Sequence, residues 1–333
     1  MKRTLSSLAA ATTIAIAALS GAAQAQNIEL KLAWLSADSP NDPYAVTAHA
    51  FKDAIEAAMP GKVSVALFPN RQLGDEKDVL ENMQFGTIDM GVITNAVVAT
   101  VEPSYQLLDL PFLFSSAEQA HKVLDGPVGE KLAANLEKRG VVSLGAAEGG
   151  FRNMINNDHP IEKPSDVEGV KFRTMQNPVF IDMFNSLGGS PVPMAWGEVY
   201  TAVQQGTIDG LEIPLSVVQA NKFPEVVKYA SMTRHTYSAV HLLISKKTLD
   251  GLPADVQAAI REAGHTAVLE ERKTVEANES VVREKLVAEG MQINDVADLA
   301  AFREKVKGVY GQFANSIGPD LLKEAEDAVA QDN

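Results

Sequence analysis

The residue most able to do chemistry in this sequence is an arginine among apolar neighbours. Arg173 stands in Lys171-Phe172-Arg173-Thr174-Met175-Gln176-Asn177-Pro178, between a short loop at 166–169 and an apolar helix expected from Pro178. A guanidinium is planar, permanently charged and matched to a carboxylate through two parallel hydrogen bonds. At the end of a short strand it points into whatever space that strand faces, and in apolar surroundings it needs an anion. A second arginine, Arg152, follows the glycine-rich run Gly145-Ala146-Ala147-Glu148-Gly149-Gly150.

Other chemistries leave no trace. The six histidines (His49, His121, His159, His235, His241 and His265) form no His-x-x-x-His pair and no glutamate-bracketed zinc motif. There is no phosphate-cradling Gly-x-x-x-x-Gly-Lys loop and no Gly-x-Ser-x-Gly elbow. The run 145–150 lacks the dinucleotide spacing and carries Glu148 where a pyrophosphate would sit. With no cysteine, disulfides and thiolate chemistry are excluded. No cofactor and no metal is expected, and the reading is a binding protein, not an enzyme.

The formal charge is −14, and setting aside residues 1–25, which hold Lys2 and Arg3 but no acid, makes it more negative still. Such a chain repels nucleic acids and anionic membrane surfaces, so an anionic ligand must be caught by local positive charge. Residues 1–25 read as an export signal: a basic start, an apolar stretch over 8–19 and a small-x-small site at Ala23-Gln24-Ala25, giving a mature start at Gln26. No later stretch reaches 18 apolar residues, so the mature protein is expected to be exported to the periplasm and not embedded in a membrane.

The elements that must position the arginines alternate. Strands are expected over 29–34, 63–68 and 88–93, with helices over 44–59 and 75–85 between them, and this order argues for a largely parallel sheet. A further strand is expected at 141–145. A second alternating unit follows, with strands at 170–175, 192–194 and 208–212 and helices at 178–187 and 198–205. Two strands, 226–232 and 239–245, link back to the first unit. From 254 to 289 there is no proline, and about 36 helical residues would span roughly 54 Å, more than one small domain; the alternative is two helices broken at Gly264 or Asn278. Two more helical patterns, around 300–314 and 321–330, close the chain.

Six motifs carry a resemblance. They are Phe68-Pro69-Asn70-Arg71-Gln72-Leu73-Gly74-Asp75, Gly86-Thr87-Ile88-Asp89-Met90, Leu110-Pro111-Phe112-Leu113-Phe114, Gly169-Val170-Lys171-Phe172-Arg173, Pro193-Met194-Ala195-Trp196-Gly197-Glu198-Val199-Tyr200 and Thr207-Ile208-Asp209-Gly210-Leu211-Glu212. In this order and spacing they resemble the DctP-type periplasmic solute receptors of TRAP (tripartite ATP-independent periplasmic) transporters, over about 28–322. The resemblance implies an α/β, two-domain periplasmic binding protein (Venus-flytrap) with a long helix spanning both domains. The expected division is domain I over 26–148 plus 239–278 and domain II over 149–238 plus 279–333. It also implies a small organic acid ligand, handed to small and large membrane permease subunits without ATP. A rival reading is a receptor feeding a sensor kinase.

The resemblance places Arg173 on the ligand carboxylate and Arg152 as a second cleft arginine. Glu76 matches a cleft-facing acid that could accept bonds from ligand hydroxyls, or it could simply suit a helix N-terminus. Trp196 matches an aromatic cleft position and Gln176 an amide donor, whereas Asn177 would bind or cap the next helix. Thr94 and Asn95 end the third expected strand, where open α/β sheets bind ligands. Glu212 and Ile213 follow the Asp-Gly motif, His235 and Tyr237 fall near a crossover and read equally as core, and Glu148 borders the same hinge. Val97 replaces an arginine found in sialic acid receptors, and Ile213 an asparagine of many relatives. Glu76 and Glu148 would repel a second ligand carboxylate but suit hydroxyls. A uronate or aldonate is therefore favoured over a C4-dicarboxylate or keto acid.

Overall fold

A computed structural model describes residues 27–331; the export signal and its cleavage site lie outside the described residues. Nine strands form one mixed sheet: β1 (Ile28–Ala33), β2 (Val63–Phe68), β3 (Met90–Thr94), β4 (Val141–Asn156), β5 (Lys171–Thr174), β6 (Ser190–Pro193), β7 (Gly210–Ile213), β8 (Tyr229–Ser245) and β9 (Gln292–Asp295). Their order is β2-β1-β3-β8-β4-β7-β5-β6, with β9 beside the start of β8. One lobe is built on β1, β2 and β3, the other on β5, β6 and β7; within each lobe the short strands run parallel. The long antiparallel pair β4 and β8 belongs to both.

Two apolar cores lie on opposite faces of this sheet, and alternating side chains of β8 feed both. Tyr237, Ala239 and Leu243 enter one core; Val240, Leu242 and Ile244 enter the other. The first face is covered by α2 (Glu76–Phe85), α3 (Asn95–Val101), α4 (Ala117–Leu124), α5 (Pro127–Glu137) and α6 (Pro178–Ser186), with the C-terminal α11 (Leu299–Val306), α12 (Gly308–Ile317) and α13 (Pro319–Ala330). The second carries α1 (Pro43–Ala58), α7 (Trp196–Gln204), α8 (Leu215–Ala220), α9 (Lys246–Asp250) and α10 (Ala254–Ala288).

Several expectations change. The linking strands 226–232 and 239–245 are one 17-residue strand, β8. The stretch between them, Thr233-Arg234-His235-Thr236-Tyr237-Ser238, is polar, which breaks the apolar pattern. Most of it is nevertheless buried, with Thr233, His235 and Ser238 bonded to Met154 N–H, Glu212 and Arg152. The strand expected at 141–145 likewise runs on to Asn156, because three register shifts, at 143/145, 148/150 and 152/154, carry it past its glycines. Gly150 takes φ +89°, a conformation glycine adopts without strain. The pattern at 300–314 resolves into α11 and α12, and β9, α3 and α8 are short additions the periodicity did not show.

The long helix is unbroken. α10 runs for 35 residues and packs on α1, β4 and α8, so it touches both lobes. Gly264 is no break. It sits where the helix crosses β4, and a Cβ there would lie 2.7 Å from Leu144 Cβ and 3.1 Å from the Leu144 carbonyl oxygen. Gly264→Leu should force helix and strand apart and destabilise the protein by about 1–3 kcal/mol. Chemical denaturation checks this, and an unchanged midpoint would show that the crossing is not close-packed.

Candidate functional site

Arg173 lies on β5, beside Leu211 of β7 and Val192 of β6. Its chain ends in a cleft between the lobes, where it is 2% exposed. Nε and Nη2 both donate to the Met194 carbonyl oxygen, at 3.0 and 2.7 Å, and Nη1 approaches Met175 Sδ at 3.3 Å. Among the described residues no carboxylate lies within ion-pair distance of this guanidinium. Burial pushes its pKa down to about 10; the more distant charge of Glu212 resists this and Arg152 adds to it. It therefore remains a buried cation at neutral pH.

Arg152, on β4, is in the opposite position. Its Nε and Nη2 grip the Glu212 carboxylate, Nη2 also donates to the Glu212 carbonyl oxygen at 2.6 Å, and Nη1 reaches Ser238 Oγ at 3.4 Å. Glu212 lies within 3.4 Å of His235 Nε2, and His235 Nδ1 is 2.8 Å from Thr233 Oγ1. Burial lowers the His235 pKa, so the ring is neutral. Burial would raise the Glu212 carboxyl, but Arg152 and His235 prevail and hold it below its usual range. One of the two cleft arginines is thus neutralised by the protein, and the other is not.

The facing wall comes from the first lobe. Asp75 caps α2, its N–H accepted by Asp78 Oδ2 at 3.1 Å, and this sets Glu76 as the first helical residue. Thr94, at the end of β3, donates its N–H to Glu76 Oε1 at 2.6 Å, and Tyr44 Oη lies 2.5 Å from Thr94 Oγ1. Burial lifts the Glu76 pKa to about 7, against the Thr94 bonds and the fields of Arg173 and Arg152. Trp196 opens α7 and rests tilted on Phe223, ring centres 5.5 Å apart.

Arg173, Arg152, Glu76, Thr94, Trp196, Gln176 and Ile213 therefore line one cleft of about 680 Å³. The other expected residues do not line it. Glu212 and His235 stand behind Arg152. Asn177 is committed to capping α6 through Val179 N–H, and its Nδ2 bridges the lobes by donating to Asp109 Oδ2 at 2.9 Å and Ala96 O at 3.2 Å. Asn95 starts α3 rather than ending β3, and its side chain turns to Tyr105 O and His241. Tyr237 packs edge-on against Phe114, Phe151 and His121 in the core. Glu148 faces a different cavity, 3.0 Å from His121 Nε2.

Sequence reading missed Leu35, Tyr44, Lys77, Met175, Met194, Val217 and Ser238, all of which line the cleft. Leu35 lies just past the end of β1, so the strand-end rule that pointed to Thr94 also applied to it. Cross-lobe hydrogen bonds, from Ala37 N–H to Asn221 Oδ1 and from Asn41 Nδ2 to Gln219 Oε1, hold the lobes together at the mouth.

Two lobes joined by shared strands, strutted by one helix and enclosing an arginine-bearing cleft, define a two-lobed solute-binding protein. The chain belongs to the bacterial extracellular solute-binding protein family 7, the DctP family of TRAP receptors, whose profile matches residues 36–316. It is similar to the 2,3-diketo-L-gulonate-binding periplasmic protein YiaO of Escherichia coli (strain K12), with 34% identity over 87% of this chain and 89% of the relative. Among solved structures it is similar to the sugar acid binding protein DctPAm from Advenella mimigardefordensis strain DPN7T in complex with galactonate. That match has a TM-score of 0.88 and 30% identity, over 92% of this chain and 98% of that one. A TRAP periplasmic solute-binding protein from Polaromonas sp JS666 bound to D-erythronate gives a TM-score of 0.86 and 33% identity, over 90% and 98%.

The buried acids make stability depend on pH. Glu76 is raised from 4.5, and Asp42 and Asp109 from 3.8, each by burial to about 7. Between these values the native state holds protons that the unfolded chain has released, so stability falls as pH rises from about 3.8 to about 7. Glu76→Gln should flatten that fall, as read by thermal unfolding at pH 5, 6 and 7. A variant as pH-sensitive as the parent would contradict the assignment.

Proposed function

We propose that this chain is a periplasmic receptor that clamps a hydroxylated monocarboxylate, a uronate or aldonate, on Arg173 and delivers it to the small and large membrane subunits of a TRAP transporter. The observation that carries this reading is the Arg173 guanidinium, buried with no carboxylate beside it. A ligand carboxylate supplies the missing charge, and in a closed cleft water no longer screens the pair. Arg152 is already matched by Glu212, and Lys77, which also lines the cleft, is exposed with Glu81 3.9 Å away, so among the described residues Arg173 is the one buried cleft cation left for a ligand carboxylate. Glu76 faces the same space, and with its pKa raised to about 7 its carboxyl accepts from a ligand hydroxyl when ionised and donates to one when protonated, while offering a second carboxylate no positive charge. Trp196 and Ile213 offer apolar surface to the sugar carbons. The galactonate and D-erythronate named for the Advenella and Polaromonas proteins are aldonates of this class, and the 2,3-diketo-L-gulonate of the E. coli relative is a keto derivative of a sugar acid.

The domains meet, in this reading, at 148/149 on β4 and 238/239 on β8. The register shift between Glu148 and Gly150 supports that hinge. Opening there would separate Glu76 and Thr94 from Arg152 and Arg173.

Arg173→Met tests the clamp by two readouts of opposite sign. Ligand affinity should fall by about 3–5 kcal/mol, on the order of 100- to 3000-fold. The ligand-free variant should unfold no lower than the parent, because a buried charge without its counter-ion has been removed. Calorimetric titration with galactonate, glucuronate, D-erythronate and succinate, beside thermal unfolding, decides both. Unaltered binding of every acid by Arg173→Met would end the proposal, and binding of succinate alone would overturn the sugar acid preference.

A further inference from the structure

α10 shows a second place for a small molecule. Its inward stripe is buried at Val256, Ile260, Ala263, Gly264, Ala267, Val268, Glu271 and Arg272, then resumes at Val282 and Leu286. Helical spacing continues the same stripe through Val275, Asn278 and Glu279, yet none of these is buried. Over that interval the helix spans an opening of about 730 Å³ at the junction of the lobes. The floor is the shared strand pair, Gly150 and Phe151 of β4 with Met232 and Arg234 of β8; Val46 and Leu215 close it from the two sides.

The charges around this opening select a cation. Glu148, Glu276 and Glu279 line it against one arginine. Arg234 lies 4.1 Å from the centre of the Phe151 ring and 3.7 Å from Glu279, so these two charges offset each other, and Glu148 and Glu276 leave the lining net negative. Glu148, 7% exposed, presents a carboxylate at the inner end beside His121. No three or more histidine or acidic side chains among the described residues converge closely enough to hold a metal ion. Separated carboxylates over apolar walls instead fit an ammonium or guanidinium group carried on a hydrocarbon body, which gains by burial of the body and by charge at the rim.

We propose that this opening beneath α10 is a second binding site, for a small organic cation with an apolar body, and that its occupation favours the closed arrangement of the lobes. Pro214 lines both this site and the acid cleft, and Gly149 and Gly150 face one each. The walls come from both lobes in the arrangement that sets Glu76 opposite Arg173, so a molecule filling the site holds that arrangement. By reciprocity an acid in the cleft tightens the cation by the same factor. The coupling rests on the acid-receptor reading; the cation site does not.

Phenethylammonium is a suitable probe, with 2-phenylethanol and phenylacetate as neutral and anionic counterparts, titrated calorimetrically into the mature protein. Phenethylammonium should bind, 2-phenylethanol more weakly and phenylacetate not at all. Val275→Trp, which fills the opening from the helix, should abolish the binding. Glu276→Gln with Glu279→Gln, both at the exposed rim, should weaken it and leave acid affinity alone unchanged. Saturating phenethylammonium should tighten galactonate at least ~5-fold and, without any acid, reduce the radius of gyration. Absence of binding at millimolar phenethylammonium, equal binding of 2-phenylethanol, or binding that survives Val275→Trp would overturn the site. Binding with an unchanged radius would overturn the coupling. Arg173→Met separates the two readings, since it removes the acid and should leave the amine bound.

Discussion

A guanidinium held out of water without a counter-ion is the constraint around which this molecule is arranged. Arg173 costs stability as it stands, because burial strips its hydration and the Met194 carbonyl returns only part of it. The cost is tolerable because the same burial makes the site selective. Any group that restores the balance must be an anion small enough to enter the cleft and flat enough to take two parallel bonds. Arg152 shows what the alternative would have been. With Glu212 on one side and a neutral His235 behind, it is a completed unit that adds shape and rigidity but little unsatisfied charge. The contrast between two arginines in one cleft, one matched and one not, leaves Arg173 as the buried charge that lacks a counter-ion.

The sheet makes that cleft possible. A single pair of long strands serves both lobes, so neither lobe can move without bending β4 and β8. Regular pairing would resist bending. The register shifts in β4 relieve it, one of them at Gly149-Gly150, where Gly150 adopts a left-handed backbone. Opposite them, Arg234 of β8 takes φ +43°, an uncommon choice for a residue with a side chain. The weakest regularity in the sheet therefore falls between the acid cleft on one side and the opening beneath α10 on the other. The helix bridges this interval without a break, which limits the paths the lobes can follow.

Much of this was legible in the residues. Apolar periodicity gave β1, β2 and the alternating units to within a few positions, and the absence of proline after Pro253 gave α10. Arg173 was legible because an arginine in an apolar strand has few other uses. The crossing part of β8 was not, since its side chains are polar and their burial depends on partners far away in sequence, such as Thr233 with Met154 and His235 with Glu212. For the same reason Asn95, Asn177, His235 and Tyr237 could be placed near the cleft but not in or out of it. An asparagine that caps a helix and one that binds a ligand have the same local sequence; only the fold shows that Asn177 spends its amide on Asp109 and Ala96. Leu35 and Met194 escaped notice because apolar residues at strand ends carry no chemical signal of their own.

Electrostatics on two scales completes the argument. The chain as a whole is strongly acidic and repels anions at a distance. A receptor for anions built on such a chain cannot gather its ligand by long-range attraction, so its selectivity must come from contacts made after entry. That favours an enclosed cleft, where a short contact with an unmatched cation such as Arg173 would outweigh a repulsive exterior that salt screens within about 10 Å. The same exterior attracts cations, and the carboxylates at the opening beneath α10 are a local case of it. Acid ligand and acidic surface are thus compatible because they act over different distances: the surface through screened solvent, the cleft through a dry contact with one unmatched charge.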